Sequence, residues 1–168
     1  MRQIVIYQSS TGFTKQYAKW IAERLQCEAK DIKQIKKNEI SEYDRIVYGG
    51  WIMAGMVSGL DKIKVAKPKS LVVYGVGMKS EDDELIQKII EQNQLINTPF
   101  FYYQGGVKMN ELGFIKRQML KMVKVSIENK QDKTAEDIKM LKLFNESGDY
   151  SNIEAIKSLV EYCTKNKH

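Results

Sequence analysis

Val5-Ile6-Tyr7 leads straight into Gln8-Ser9-Ser10-Thr11-Gly12-Phe13-Thr14, and this junction constrains the fold more than any other part of the chain. Three apolar residues with strand character pass into a bend of hydroxyls and one glycine. Tyr17, Ala18, Ile21, Ala22 and Leu25 then recur at the spacing of one helical face. Such a junction carries a buried strand to a helix N-terminus, where unpaired amides and the positive dipole end attract an anion. It predicts an α/β sheet that holds a phosphorylated ligand at the bend.

The rest of the chain repeats the alternation. Residues 3–7 read as the first strand, followed by a helix over 14–25 and a short strand over 27–32. A lysine-rich stretch at 33–38 separates these from a third strand over 45–50, stopped by Gly49-Gly50. Residues 57–65 read as a short helix broken by Pro68. A fourth strand over 70–77 ends in glycine, and a helix over 82–94 has acidic residues in its first turn. Pro99 opens a fifth strand over 100–103, which ends at Gly105-Gly106, and residues 151–165 close the chain as a helix. The apolar runs are continuous rather than alternating, as strands covered on both faces require. A five-stranded parallel sheet with helices on both sides follows, with ligands expected beyond the carboxyl ends of the strands.

Residues 107–147 interrupt this rhythm. They predict a helical insertion after the fifth strand, with helices over 112–126 and 134–144. At 168 residues the chain is expected to be one domain over 1–168 that includes this insertion.

Composition narrows the chemistry. No run approaches the roughly 18 consecutive apolar residues of a membrane span. The chain enters its first strand without a basic-then-apolar leader, so a cytoplasmic protein is expected. Cys27 and Cys163 lack C-x-x-C spacing and read as free thiols, with a disulfide as the alternative. The single histidine is His168, which leaves little for a histidine metal site or a His-dependent triad. No metal site is expected. The net charge of +6 favours an acidic partner surface or an anionic small molecule. Lys62, Lys64, Lys67 and Lys69 form a basic run without a recognition motif, and no nucleic acid is expected.

The first loop is neither a Walker A nor a G-x-G-x-x-G turn. Its donors are the hydroxyls of Ser9, Ser10, Thr11 and Thr14 with the backbone amides around Gly12 and Phe13, a set suited to a terminal monophosphate. Here the chain resembles the flavodoxin family. The family pattern is met in register by Val5, Ile6, Tyr7, Ser9, Gly12, Thr14, Ala18 and Ile21. The resemblance implies a flavodoxin-like three-layer α/β/α sandwich and FMN as cofactor, with the phosphate on Ser9, Ser10, Thr11, Gly12, Phe13 and Thr14.

It also implies two loops around the flavin ring. The first is Gly50-Trp51-Ile52-Met53-Ala54-Gly55 after the third strand. Trp51 is the candidate for stacking on the ring; its alternative is a core anchor turned inward. The second is Gly75-Val76-Gly77-Met78 after the fourth strand, where glycine permits close backbone approach. Met53 and Met78 are the other candidates for ring contact.

Two features set the chain apart from an electron-carrying flavodoxin. It is basic where such carriers are typically acidic. Its insertion also carries Leu112, Ile115, Met119, Met122, Val123 and Ile127 largely on one helical face, with Lys116, Arg117, Lys121 and Lys124 over much of the rest. A cationic amphipathic helix can lie on an anionic membrane surface or close over an anionic ligand; the alternative is a helix packed on the body with solvated lysines. Tyr43-Asp44-Arg45-Ile46-Val47-Tyr48-Gly49 and Phe114-Ile115-Lys116-Arg117-Gln118-Met119-Leu120-Lys121-Met122 resemble the menaquinone-dependent protoporphyrinogen dehydrogenase family. That resemblance implies an FMN-dependent oxidoreductase with an anionic substrate, a quinone acceptor and peripheral contact with the inner face of a membrane. The alternative is a flavodoxin-type carrier that exchanges electrons with a redox partner and has no substrate of its own. No side chain stands out as a catalytic acid or base.

Overall fold

A computed structural model describes residues 1–106, 113–146 and 148–166, with the side chains of Lys116 and Glu146 excepted. Leu112, which opens the expected insertion helix, and His168 lie outside the described residues.

The chain begins with β1 (Gln3–Gln8), α1 (Phe13–Leu25) and β2 (Glu28–Asp31). A 3-10 turn (Ile32–Gln34) and the one-turn α2 (Lys37–Ile40) occupy the lysine-rich stretch. Then come β3 (Arg45–Met53), β4 (Met56–Val57), α3 (Leu60–Val65), β5 (Leu71–Gly77), α4 (Asp83–Gln92) and β6 (Phe100–Gln104). The insertion supplies α5 (Phe114–Glu128) and α6 (Ala135–Glu146). A second 3-10 turn (Ile153–Ile156) runs into α7 (Lys157–Lys165).

Five strands pair in parallel in the order β2-β1-β3-β5-β6. The order reverses between β1 and β3, which opens a crevice at their carboxyl ends. Strand residues alternate between two cores because successive side chains leave opposite faces. Val5 and Tyr7 join Val47, Val72 and Tyr74 under α1 and α7, while Ile4 and Ile6 join Ile46 and Val73 under α3 and α4. This double coverage makes the α/β/α sandwich. Each fully buried aliphatic side chain contributes about 1.5–3 kcal/mol.

Two expectations are corrected at the end of β3. The strand continues through Trp51, Ile52 and Met53, and Val57 belongs to β4 rather than to a helix. Ala54 (φ 50°) and Gly55 (φ 81°) reverse the chain, so that Ile52 pairs with Val57 and Met53 with Met56. Positive φ at both central residues is the geometry of a tight hairpin turn. Val57, Leu60 and Ile63 all enter one core, but the helix itself starts at Leu60. Ala54 bears the strain of the left-handed region. Ala54→Gly is therefore expected to stabilise the protein by about 0.5–1 kcal/mol, after allowance for glycine's extra unfolded-state entropy. The urea midpoint should rise at unchanged slope; a lower midpoint would show that the turn is not strained.

The insertion leaves and rejoins the body at one place. Gly106 bridges Asp149, and the Tyr150 amide donates to Gly105 O at 3.0 Å. The Tyr17 hydroxyl donates to Gln104 O (2.7 Å) and accepts from the Asn152 amide (3.0 Å). Its ring stacks on Tyr103 at 4.7 Å. At the opposite edge of the sheet, the buried Arg45 guanidinium donates to Cys163 O at 2.6 Å and to Asn166 O, holding the carbonyls at the end of α7.

Candidate functional site

Strand register brings the expected site segments to one edge. Gln8 lies beside Gly50, Trp51 beside Val76, and Gly77 beside Gln104, so the β1, β3, β5 and β6 ends face the same rim.

The bend at 9–12 connects β1 to α1. Gly12 is the N-cap, at φ 94°. A Cβ built there meets nothing within 4 Å, but this backbone conformation disfavours any other residue. The Gly12 amide donates to Ser9 Oγ at 3.2 Å, which curls the bend. Gly12 offers no side-chain cap to the first amides of α1, and no acidic residue occupies the first turn. Ser9, Ser10 and Thr11 are half-buried and Gly12 is exposed. An open bend with hydroxyls, helix amides and no acid in the first turn of α1 fits a phosphate group.

Phe13 and Thr14 sit differently from the rest of the bend. The Phe13 side chain is buried against Gly105 and Gly106, so only its backbone faces the loop's chemistry. Thr14 is buried as well, and its carbonyl accepts from the Tyr74 hydroxyl at 3.2 Å. The start of α1 is thus tied to the middle of the sheet.

The expected first ring loop is the β3–β4 hairpin. Trp51 is half-buried and pairs with Val76, which places it on the α1 side of the sheet. Ile52 points to the other side and fills the space that a Gly75 side chain would need, with a Cβ-to-Cδ1 approach of 2.6 Å. Asn93 braces the hairpin. It accepts from the Val57 amide (2.9 Å) and donates to Gly55 O (2.7 Å). Met53 and Gly55 are half-buried, and Ala54 is exposed at the tip.

Gly75, Val76 and Gly77 belong to β5 and are buried, so they are not a loop as expected. The place of a Gly77 side chain is taken by the Tyr102 hydroxyl, 2.3 Å from an ideal Cβ. These glycines accommodate neighbouring side chains of the fold. The segment that extends past the strand is Met78, Lys79 and Ser80. Met78 O accepts from Gln104 Nε2 at 3.0 Å, and Lys79 O accepts from the Tyr102 hydroxyl at 2.7 Å.

Ser80 links this segment to the insertion. Its amide donates to Glu136 Oε1 (3.3 Å) and its hydroxyl to Glu136 Oε2 (3.1 Å). Glu136 lies in the first turn of α6. That turn is capped reciprocally by Thr134 and Asp137. Hydrogen bonds from Lys130 and then the Thr134 amide hold the Asp137 carboxyl down at about 2. Burial, followed by the charges of Glu136, Asp82 and Glu81, raises the Tyr102 hydroxyl above its ordinary value. It stays a protonated donor. The rim is therefore polarised, with neutral hydroxyls and amides at the β1 bend and carboxylates behind the β5 segment. Among the described residues, no group of three or more His, Cys, Asp and Glu side chains is placed to hold a metal.

The hairpin and the Ser80–Glu136 link were not anticipated from the sequence. The hairpin had a signal, two short apolar runs separated by Ala54-Gly55. The link had none, since nothing local marks Glu136 as a partner for Ser80.

Comparison with known proteins adds three findings. The Flavodoxin domain family model matches residues 4–135. No curated protein matches the sequence. Among solved structures, the chain is similar to a flavodoxin from the domain Archaea, with 16% identity, a TM-score of 0.46 and coverage of 66% of this chain and 88% of that one. It is also similar to oxidised Flavodoxin 1 from Bacillus cereus, with 18% identity, a TM-score of 0.45 and coverage of 66% and 89%. Rubredoxin oxygen:oxidoreductase from Desulfovibrio gigas matches at 19% identity and a TM-score of 0.42, over 71% of this chain and 33% of that one.

Proposed function

Since this chain belongs to the flavodoxin domain family, whose cofactor is FMN, we propose that residues 9–14 hold the FMN phosphate and that the protein is an FMN-dependent redox protein. The observation that carries this reading is the acid-free first turn of α1, entered through an N-cap glycine behind an open hydroxyl bend. The hydroxyls of Ser9, Ser10 and Thr11 and the first amides of α1 bind the phosphate. Trp51 and Met53 on the hairpin and Met78 beyond β5 flank the ring and exclude water from it. FMN supplies the ability to accept and release one or two electrons; the protein contributes position and electrostatics.

Binding is tested by titrating apoprotein with FMN and with riboflavin, read by flavin fluorescence. FMN should bind at least about a hundredfold more tightly, because riboflavin lacks the group that the bend holds. Equal affinities would refute the phosphate site.

Two fates for the electrons follow. A carrier passes them singly to a protein redox partner. A dehydrogenase takes them in pairs from an anionic substrate and passes them to a quinone. The Ser80–Glu136 link favours the dehydrogenase, because it lays the insertion beside the proposed ring segment. The holoprotein should then oxidise an added porphyrinogen only when quinone is present. Stepwise photoreduction that accumulates the one-electron state, with no porphyrinogen turnover, would favour the carrier.

A further inference from the structure

The insertion presents an apolar surface with a definite charge frame. Ile127 of α5 and Leu143 and Phe144 of α6 are buried, and the two helices pack on each other. On the remainder of α5, Phe114 and Ile115 are each 75% exposed, Met122 72%, Val125 51%, Met119 45% and Val123 43%. At 100° per residue these six form one continuous arc of about 180°, with Gln118 and Ser126 as its polar members. Lys121 borders the arc on one side. The only acid of α5 is Glu128 at its end, paired with Lys124 at 3.7 Å. The fifteen-residue helix is about 22 Å long.

We propose that this face of α5 docks on an anionic lipid bilayer, lying in the interface plane. Phe114, Ile115, Met119 and Met122 would enter the headgroup–acyl boundary, while the bordering Lys121 keeps its charge among the headgroups. Charge selects this occupant. The arc has a cationic border and no acid, and the whole chain carries a charge of +6. Two copies pairing through α5 would bring two such cationic borders together. Among the described residues no helix is long and apolar enough to cross a membrane, so the contact is superficial. Glu136 ties α6 to Ser80, and docking would therefore occur beside the carboxyl rim of the sheet. Lipid binding at α5 does not depend on the cofactor reading, and its test needs no flavin signal.

The test is co-sedimentation of the purified full chain with phosphatidylglycerol–phosphatidylcholine vesicles and with phosphatidylcholine alone, read on gels. Binding should require phosphatidylglycerol and weaken with salt. Ile115→Gln with Met122→Gln should reduce partitioning at least about tenfold. Lys121→Glu should reduce it about fivefold or more. Lys62→Glu, on α3, should have a smaller effect than Lys121→Glu. Gln and Glu suit exposed helix positions, and circular dichroism checks that α5 persists. Absence of binding to anionic vesicles would overturn the proposal, as would binding that both α5 variants leave intact. A dimer in sedimentation velocity that the Ile115→Gln, Met122→Gln change dissociates would also overturn it, by assigning the face to a second copy.

Discussion

Thr11→Asp is expected to abolish FMN binding while leaving the apoprotein at least as stable as the parent. Thr11 lies in the bend just before Gly12, at the start of α1. A carboxylate there favours the helix by about 0.3–1 kcal/mol, since it complements the positive dipole end. The same carboxylate opposes a bound phosphate. Like charges about 4 Å apart repel by on the order of 4 kcal/mol at an effective dielectric of about 20, roughly a thousandfold in affinity. The two effects have opposite signs, and that separates a phosphate site from a turn that merely caps a helix. Fluorescence titration reads the first and thermal unfolding of the apoprotein the second. Riboflavin binding should change far less than FMN binding. An FMN affinity within about threefold of the parent would mean that the phosphate lies elsewhere.

Gly49→Ala should produce a large loss of stability from a single added methyl group. In the sheet, Gly49 sits between Tyr7 of β1 and Tyr74 of β5. A Cβ at this position would lie 1.9 Å from Tyr74 Cζ and 2.2 Å from its hydroxyl oxygen. Tyr74 has little room to yield. It is fully buried, packs at 5.6 Å from the Tyr103 ring and donates its hydroxyl to Thr14 O. Overpacking of this kind costs about 3 kcal/mol, equivalent to a fall in melting temperature of about 6–12 °C. Because Tyr74 holds the first turn of α1, FMN affinity should fall as well. Tyr74→Leu in the same chain clears the collision, so the double variant should be more stable than the sum of the single changes by at least about 1 kcal/mol. Strict additivity would show that the two positions do not compete for space.

These two sites also show what local sequence conveys. The β1–α1 junction is legible because every determinant falls within one short stretch: an apolar strand, a bend of hydroxyls and a helical stripe. The parallel strands are legible because two-sided burial demands unbroken apolar runs such as Leu71-Val72-Val73-Tyr74. The β3–β4 hairpin is marked only by its two short apolar runs, because Ala54 takes a left-handed conformation that alanine rarely adopts. The roles of Gly75 and Gly77 depend on Ile52 and Tyr102, which only the assembled sheet brings near. Glu136 contacts a residue 56 positions away, a distance at which helical or strand periodicity carries no information. Local chemistry thus survives in the linear code, and the tertiary supports of the rim do not.

The clasp between Gly105-Gly106 and 149–152 has a consequence for how this chain can vary. The excursion departs and returns through a single doorway, so the sheet registers only that its two posts meet. Doubling the length of a flexible segment between fixed posts costs only about 0.6 kcal/mol. The insertion can therefore lengthen, shorten or exchange its outer face with little strain on the β-layers, provided that the doorway and the carboxylate grip on Ser80 remain.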